Sequence, residues 1–149
     1  MRIFLKEIKN FKNQYKLTIQ FQDGKISILY SDLLPGPNNY ENQWVEALIG
    51  SSFSFKKVSL YSFSVLLSHP FVFYGRYRKD YTIPLIWKTK GNWYMHNGYE
   101  IYKNCNHIFE TNYGVIILDD YWFEENPIKD TDDIYLRFES LELIAWYPL

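Results

Sequence analysis

The sequence has little of what builds disulfide frameworks, metal centres or membrane spans. Its 149 residues include one cysteine and three histidines. The single thiol, Cys105, excludes an internal disulfide, so no cysteine framework holds the fold. No run of about 18 apolar residues occurs, which excludes a membrane-spanning helix. The charged start, MRIFLKEIKN, lacks the apolar core of a signal peptide. Together these absences predict a cytoplasmic protein.

The motifs of common enzyme classes are also missing. There is no phosphate-cradling glycine loop, no Gly-x-Ser-x-Gly and no His-Glu-x-x-His. Cys105 with His96 or His107 as its base would suit nucleophilic catalysis. The same three side chains would offer zinc ligands at loose spacing. We therefore expect a non-catalytic protein without a metal or cofactor, and an enzyme of unrecognised type is an alternative.

Aromatic residues are unusually abundant. They make up 20% of the chain, as fourteen Tyr, eleven Phe and five Trp. Rings serve either as cross-strand pairs on a sheet or as contact residues at a surface. A half-barrel lined by Trp and Tyr that encloses a small apolar ligand is a further alternative. The length predicts a single globular domain, residues 1–149.

Residues 15–30, YKLTIQFQDGKISILY, predict a β-hairpin. Apolar and polar residues alternate on both sides of Asp23-Gly24. This dipeptide favours a two-residue type I′ turn, and counting outward from the turn gives the register. The expected pairs are Gln22–Lys25, Phe21–Ile26, Ile19–Ile28 and Leu17–Tyr30. Two strands alone are marginally stable, so further sheet or a helix must cover their apolar face.

The remaining patterns predict a mainly β or α+β fold, built on an antiparallel twisted sheet or half-barrel with one packed helix. The helix is expected near residues 39–49, capped by Asn38 or Asn39 and closed by Gly50. Its apolar face would consist of Tyr40, Trp44, Ala47 and Leu48.

Further strands are expected at 1–8, 71–77, 81–87, 114–118, 134–138 and 141–146. Residues 51–67 predict two strands joined at Lys56-Lys57, or one long strand with a bulge there. A second hairpin is expected at Asn97-Gly98. Residues 104–112 suggest a loop or helical turn, and residues 124–133 an acidic loop.

Charge is distributed unevenly along a chain whose net charge is −1. From residue 119 onward there are nine acidic and two basic residues, whereas the first 118 residues carry fourteen basic and eight acidic ones. The acidic block is interleaved with rings, a combination that suits a basic protein partner. Carboxylates would accelerate the encounter and rings would slow dissociation. The predicted partner-binding residues are Asp119, Asp120, Tyr121, Trp122, Glu124, Glu125, Asp130, Asp132 and Asp133.

Both charged regions have alternative interpretations. The acidic block would also suit a solvated loop, and the aspartates within 130–133 offer oxygen ligands to a divalent cation. Those aspartates lack the central glycine and terminal glutamate of the twelve-residue calcium loop. Arg76, Arg78 and Lys79 lie among tyrosines, as in single-strand nucleic-acid sites. Their alternation is typical of a solvent-facing strand side, and the negative net charge disfavours a nucleic-acid partner.

In general character the sequence resembles the small cytoplasmic immunity proteins of bacterial toxin systems. It shares with them a compact single domain, no site motif, many aromatic residues and a local acidic patch. The resemblance implies that the acidic, aromatic-rich surface occludes the basic active site of a cognate toxin such as a nuclease, with Tyr121 and Trp122 as anchors.

Overall fold

The structure, a computed structural model, describes residues 1–32, 38–59, 62–84, 87, 105–129 and 133–149. Eight strands form one mixed sheet, which confirms the predicted mainly β fold class. The strands are β1 (Arg2–Phe11), β2 (Gln14–Gln20), β3 (Ile26–Ser31), β4 (Trp44–Val58), β5 (Val72–Tyr81), β6 (Cys105–Thr111), β7 (Gly114–Ile117) and β8 (Ile134–Pro148). Two short helices, α1 (Phe63–Ser68) and α2 (Asp120–Glu125), accompany them. Within the described ranges, no helix combines the length and apolar character of a transmembrane segment.

The long strands β4 and β8 form an antiparallel pair at the centre of the sheet. The strand order is β1-β2-β3-β8-β4-β7-β6-β5, with additional β1–β4 and β8–β5 pairings. These pairings close two circuits of five strands each, and both circuits contain β4 and β8. The β3–β8 and β4–β7 pairings are parallel, so the sheet is mixed where a wholly antiparallel one was expected.

Aromatic rings occupy much of the apolar core. The buried ring of Phe138 on β8 lies 6.1 Å from those of Phe55 and Phe73, and 6.2 Å from that of Phe109. Buried aliphatic side chains of β1, β2 and β3 belong to the same cluster. Part of the aromatic content is therefore explained by packing between strands.

The predicted hairpin forms, but its turn and register differ from the prediction. Gly24 N donates to Phe21 O at 3.0 Å, and Phe21 N donates to Lys25 O at 2.9 Å. Of the turn dipeptide only Gly24 has a positive φ, 94°. This is a type I turn followed by a glycine bulge rather than a type I′ turn. The observed pairs are Gln20–Ile26, Ile19–Ser27, Thr18–Ile28, Leu17–Leu29 and Lys16–Tyr30.

The altered register places polar side chains of β3 and the turn in the interior. A shift of one residue reverses the face of every side chain in a strand, so Lys25, Ser27 and Ser31 are buried with Leu29. Helix α1 and the residues that follow it provide hydrogen-bond acceptors for Lys25 and Ser27. Ser27 Oγ donates to the carbonyl oxygen of Pro70 at 2.5 Å.

Lys25 is fully buried. Its Nζ donates to the carbonyl oxygens of Leu66 and His69, each at 2.6 Å, and lies 4.7 Å from the centre of the Phe73 ring. Leu66 belongs to α1 and His69 caps its C-terminus. The lysine thereby fixes the end of α1 against the hairpin.

The helix predicted near residues 39–49 is wrong. Residues Asn38–Tyr40 form one 3₁₀ turn, and β4 begins at Trp44. Val45, Ala47 and Ile49 are buried, and β4 pairs with both β1 and β8 in this region. Strand pairing on both sides and the β-branched residues of the segment itself outweigh the helical spacing of its apolar residues.

Several other predicted boundaries change. Residues 51–58 continue β4, with its bulge at residues 53–54 rather than at Lys56-Lys57. Residues 63–68 form α1, which Ser62 caps, and β6 replaces the loop expected at 104–112. The strand expected at 81–87 is absent from its described residues 82–84 and 87. The strands at 1–8, 71–77 and 114–118 are confirmed. The two segments predicted at 134–138 and 141–146 form one strand, β8. Asn97-Gly98 lies outside the described residues.

Candidate functional site

The bulge in β4 is the centre of the candidate site. Phe53 and Ser54 of β4 lie opposite a single residue of β8, Glu139. Phe53 has a φ of 63° and its side chain is 70% exposed. A left-handed backbone costs a non-glycine residue about 1 kcal/mol, and an exposed ring regains little of this through packing. This cost favours a contact role for Phe53.

Glu139 is held in place by the same bulge. Ser54 donates to Glu139 Oε2 from its backbone N at 3.1 Å and from its Oγ at 2.8 Å. Both bonds favour the carboxylate, and they lower the pKa of Glu139. The bulge therefore keeps this side chain negative.

Helix α2 lies beside the bulge and begins at a specific cap. Asp119 Oδ1 accepts a hydrogen bond from Trp122 N at 2.8 Å, and Asp119 N donates to Ser51 Oγ at 2.8 Å. Trp122 Nε1 donates to Phe55 O at 3.0 Å, which fixes the indole against β4. Tyr121, in contrast, is 76% exposed. The helix thus presents one free ring next to one anchored ring.

Two open depressions, of about 600 and 510 Å³, meet at the bulge. Both are lined by Ser52, Phe53, Glu139 and Glu142, so they form one continuous surface, which we call the acidic groove. Its carboxylates are Asp32, Asp119, Glu139 and Glu142, and its rings are Tyr30, Phe53, Tyr121 and Trp122. Among the described residues that line it, none is basic.

The predicted partner-binding residues do not all lie together. Asp119, Tyr121 and Trp122 line the acidic groove. Asp120, Glu124 and Glu125 are exposed on α2 but are not among the groove's lining residues. Asp133 lies elsewhere, with its Oδ1 accepting from Arg76 Nε at 3.1 Å. Asp130 and Asp132 lie outside the described residues.

Among the carboxylates and rings of the groove, five residues were not predicted as site residues: Tyr30, Asp32, Phe53, Glu139 and Glu142. The two glutamates belong to the acidic excess after residue 119, which was the one available signal for them. Their neighbours in space come from the β8–β4 and β8–β3 pairings. Nothing local in the sequence indicates those pairings, so the meeting of Phe53 with Glu139 could not be foreseen.

A groove of opposite charge lies on the other side of Trp122. It has about 470 Å³ and is lined by Lys56, Lys57 and Lys129 over an apolar floor that includes Ile128 and Leu136. The electrostatic character of the surface therefore changes across the indole. A positively charged group would be attracted to the acidic side of Trp122 and repelled by the lysines on the other side.

Similarity to known proteins adds nothing to this geometry. No protein-family model, curated protein or solved structure matches the chain. The case for a function therefore depends on the groove itself. Carboxylates beside exposed rings are suited to guanidinium and ammonium groups. These cations pair with the carboxylates and lie over the faces of the rings.

Cys105 and His107, which were considered for catalysis, lie outside the acidic groove. Burial raises the pKa of the Cys105 thiol to about 11, so the reactive thiolate is disfavoured at neutral pH. His107 Nδ1 lies 2.6 Å from the Tyr77 hydroxyl, and its ring stacks on Phe123 at 3.7 Å. His96 lies outside the described residues. In the part of the chain that the structure describes, no three or more His, Cys, Asp or Glu side chains converge as metal ligands.

Proposed function

We propose that the protein is a non-catalytic binding protein whose acidic groove holds a basic segment of a partner protein. The observation that carries this proposal is the composition of the groove: four carboxylates and four rings, with no basic side chain among its described lining residues. A partner arginine offers a planar guanidinium that binds carboxylates in a bidentate manner and stacks on aromatic faces.

The residues divide into two roles in this proposal. Glu139 and Glu142 supply charge at the centre of the groove, where both depressions meet. Phe53, which also lines both depressions, and Tyr121, which lines one of them, supply exposed rings. Trp122 forms a wall, since its N–H is already bound to β4. Of the two predicted anchors, Tyr121 is thus the one that can change contacts on binding.

Occlusion of a toxin's active site is the biological role that we propose for this groove. A nuclease toxin has a basic cleft because its substrate is a polyanion, and an acidic surface would compete for that cleft. The general resemblance to cytoplasmic immunity proteins supports this role, and a cytoplasmic location belongs to the same proposal. The rings and carboxylates of the groove would cover the cleft without performing chemistry.

Titration with a model basic peptide tests where binding occurs. We expect a nonapeptide with arginine at alternate positions, in a Gly/Ser background, to shift the backbone amide resonances of Phe53, Tyr121 and Glu139 in NMR spectra. The matched control is the same peptide with citrulline at each arginine position, since it keeps the shape and loses the charge. The citrulline peptide is expected to leave these resonances unchanged. Shifts centred on Glu124 and Glu125, or equal shifts with both peptides, would contradict the proposed site.

A further inference from the structure

A second groove, of about 710 Å³, lies between β5, the turn that joins β6 to β7, and the start of β8. The rings that line it are Tyr74, Tyr113 and Tyr135, and we call it the tyrosine groove. The side chain of Tyr74 is 41% exposed, and its ring lies 4.7 Å from that of Tyr135 at an angle of 45°. The tyrosine groove shares no lining residue with the acidic groove.

The floor of the tyrosine groove is backbone. Gly75 of β5 pairs with Thr111 of β6 and with Ile134 of β8. A Cβ atom at position 75 would overlap the carbonyl oxygen of Glu110, so only glycine permits this approach of the strands. The missing Cβ would point at the Glu110 backbone and the Phe109 ring, and the Gly75 backbone itself lines the groove as a shelf.

The charges around the shelf are already paired. Arg76 Nε donates to Asp133 Oδ1 at 3.1 Å, and the Tyr74 hydroxyl donates to Asp133 Oδ2 at 3.3 Å. Glu110 Oε2 accepts from Arg78 Nη1 at 2.7 Å. A charged ligand would compete with these pairs. Neutral hydrogen-bonding ligands do not have that disadvantage.

The planar polar groups retain hydrogen-bonding capacity. A guanidinium has five N–H donors, and Arg76 uses Nε on Asp133, its one side-chain partner within the described ranges. Glu110 has a second carboxylate oxygen, and the exposed Asn112, whose side chain also hydrogen-bonds Tyr113, lines the same groove. Donors and acceptors therefore converge at the rim, beside tyrosine faces.

We infer that the tyrosine groove binds a neutral, hydroxyl-rich ligand, a saccharide. The C–H faces of a sugar ring are apolar and pack on aromatic rings, whereas its hydroxyls need both donors and acceptors. The groove supplies the exposed ring of Tyr74, a backbone floor and planar polar side chains, in a volume typical of small-molecule sites. This inference does not depend on the proposed function, since the two grooves are lined by different residues.

The test measures saccharide binding to the full chain. A glycan array, followed by calorimetric titration with maltotriose, cellotriose and chitotriose at millimolar concentration, is expected to identify at least one ligand. Amide shifts on binding are expected at Tyr74, Asn112 and Tyr135. Tyr74→Ala is expected to weaken binding about tenfold or more. Tyr121→Ala is the matched control, because it removes an exposed ring from the acidic groove and is expected to leave saccharide affinity unchanged.

Several results would overturn the inference. The first is that no saccharide binds, either on the array or in the three titrations. The second is that the amide shifts map outside the tyrosine groove. The third is equal affinity in the wild type and Tyr74→Ala. Circular dichroism checks that each variant is folded. Asn112→Ala, at an exposed turn position, is the second variant should Tyr74→Ala fail to fold. Unchanged affinity in that variant would likewise overturn the inference.

Discussion

Replacing Lys25 by methionine is expected to destabilise the protein more at pH 9.5 than at pH 7, with a difference of about 2 kcal/mol in the free energy of unfolding. Methionine keeps the length of the side chain and removes its donors. The carbonyl oxygens of Leu66 and His69 then lose the group that binds them at 2.6 Å, and each unsatisfied buried acceptor costs about 1–3 kcal/mol. At pH 7 the variant recovers part of this loss, because it no longer buries an ammonium ion.

The direction of the pH effect follows from the buried position of the lysine. Burial lowers the pKa of Lys25 from 10.5 to about 8, and the nearby Asp23 carboxylate offsets part of this decrease. Between these two values the unfolded chain binds more protons than the folded one, so stability increases with pH. The full increase is present above pH 10.5 and is lost as pH falls through about 8. Lys25→Met should lack this increase.

Other groups titrate in the opposite direction. Burial raises the pKa of Cys105 from 9.0 to about 11, and burial and Asp23 raise the pKa of Tyr113. Both groups reduce stability at alkaline pH, but they are present in the wild type and in the variant alike. The difference between the two proteins therefore isolates Lys25.

Urea unfolding of the wild type and of Lys25→Met at pH 7, 8 and 9.5 measures this difference. Lys79→Met, at an exposed position of β5, is the matched control and is expected to show no growing difference. A difference between the wild type and Lys25→Met that is the same at all three pH values would mean that Lys25 keeps its ordinary pKa. The role assigned to the buried ammonium would then be wrong.

Neutralising the centre of the acidic groove is expected to have the largest effect on binding. The double variant Glu139→Gln, Glu142→Gln should weaken the arginine peptide about thirtyfold, or ~2 kcal/mol, because two charge-assisted contacts become neutral ones. Glutamine preserves the shape of each side chain, and at position 139 it keeps an oxygen that can accept from Ser54. The measurement is the Kd of the peptide by calorimetric titration.

The matched control changes net charge equally at a neighbouring surface. Glu124→Gln, Glu125→Gln removes two carboxylates from α2 that do not line the acidic groove. The long-range electrostatic field of the protein changes as much in this variant as in the first. Because contact geometry decides the affinity in this proposal, the affinity for the arginine peptide is expected to fall by about threefold or less. Equal losses in both double variants would show that net charge alone attracts the peptide.

Alternation in the sequence predicted part of the fold. The hairpin was identified from it, whereas the strand at 114–118 was identified from a continuous apolar run. The register of the hairpin was not predicted, because Asp23-Gly24 suits both a type I′ turn and a type I turn with a glycine bulge. The backbone conformation of Gln22 and Asp23 decides between these turns, and through it whether Lys25 or Ile26 faces inward. Local sequence favours the isoleucine, whereas carbonyl acceptors from a distant segment permit the lysine.

The error at residues 39–49 has a related cause. Apolar residues at spacings of four, seven and eight fit a helical face, but Val45, Ala47 and Ile49 also alternate as in a strand. The β1 and β8 strands pair with this segment from both sides. Local patterns do not show which strands are available as neighbours, so the helical interpretation could not be rejected in advance.

Composition predicted the candidate site only in part. Asp119, Tyr121 and Trp122 were identified because three rings lie within the acidic block there. Phe53 and Asp32 come from chain segments that lie far from the acidic block, and the long β8 strand brings them together with it. Composition reports which charges exist, whereas strand pairing decides which of them share a surface.

The dependence of peptide affinity on salt tests the central claim most directly. For the wild type, the Kd of the arginine peptide is expected to rise about tenfold or more between 25 and 400 mM NaCl, because salt screens the attraction between the acidic groove and the guanidinium groups. In Glu139→Gln, Glu142→Gln the rise is expected to be about threefold or less. A wild-type Kd that does not change with salt would contradict the claim that these carboxylates bind a basic partner.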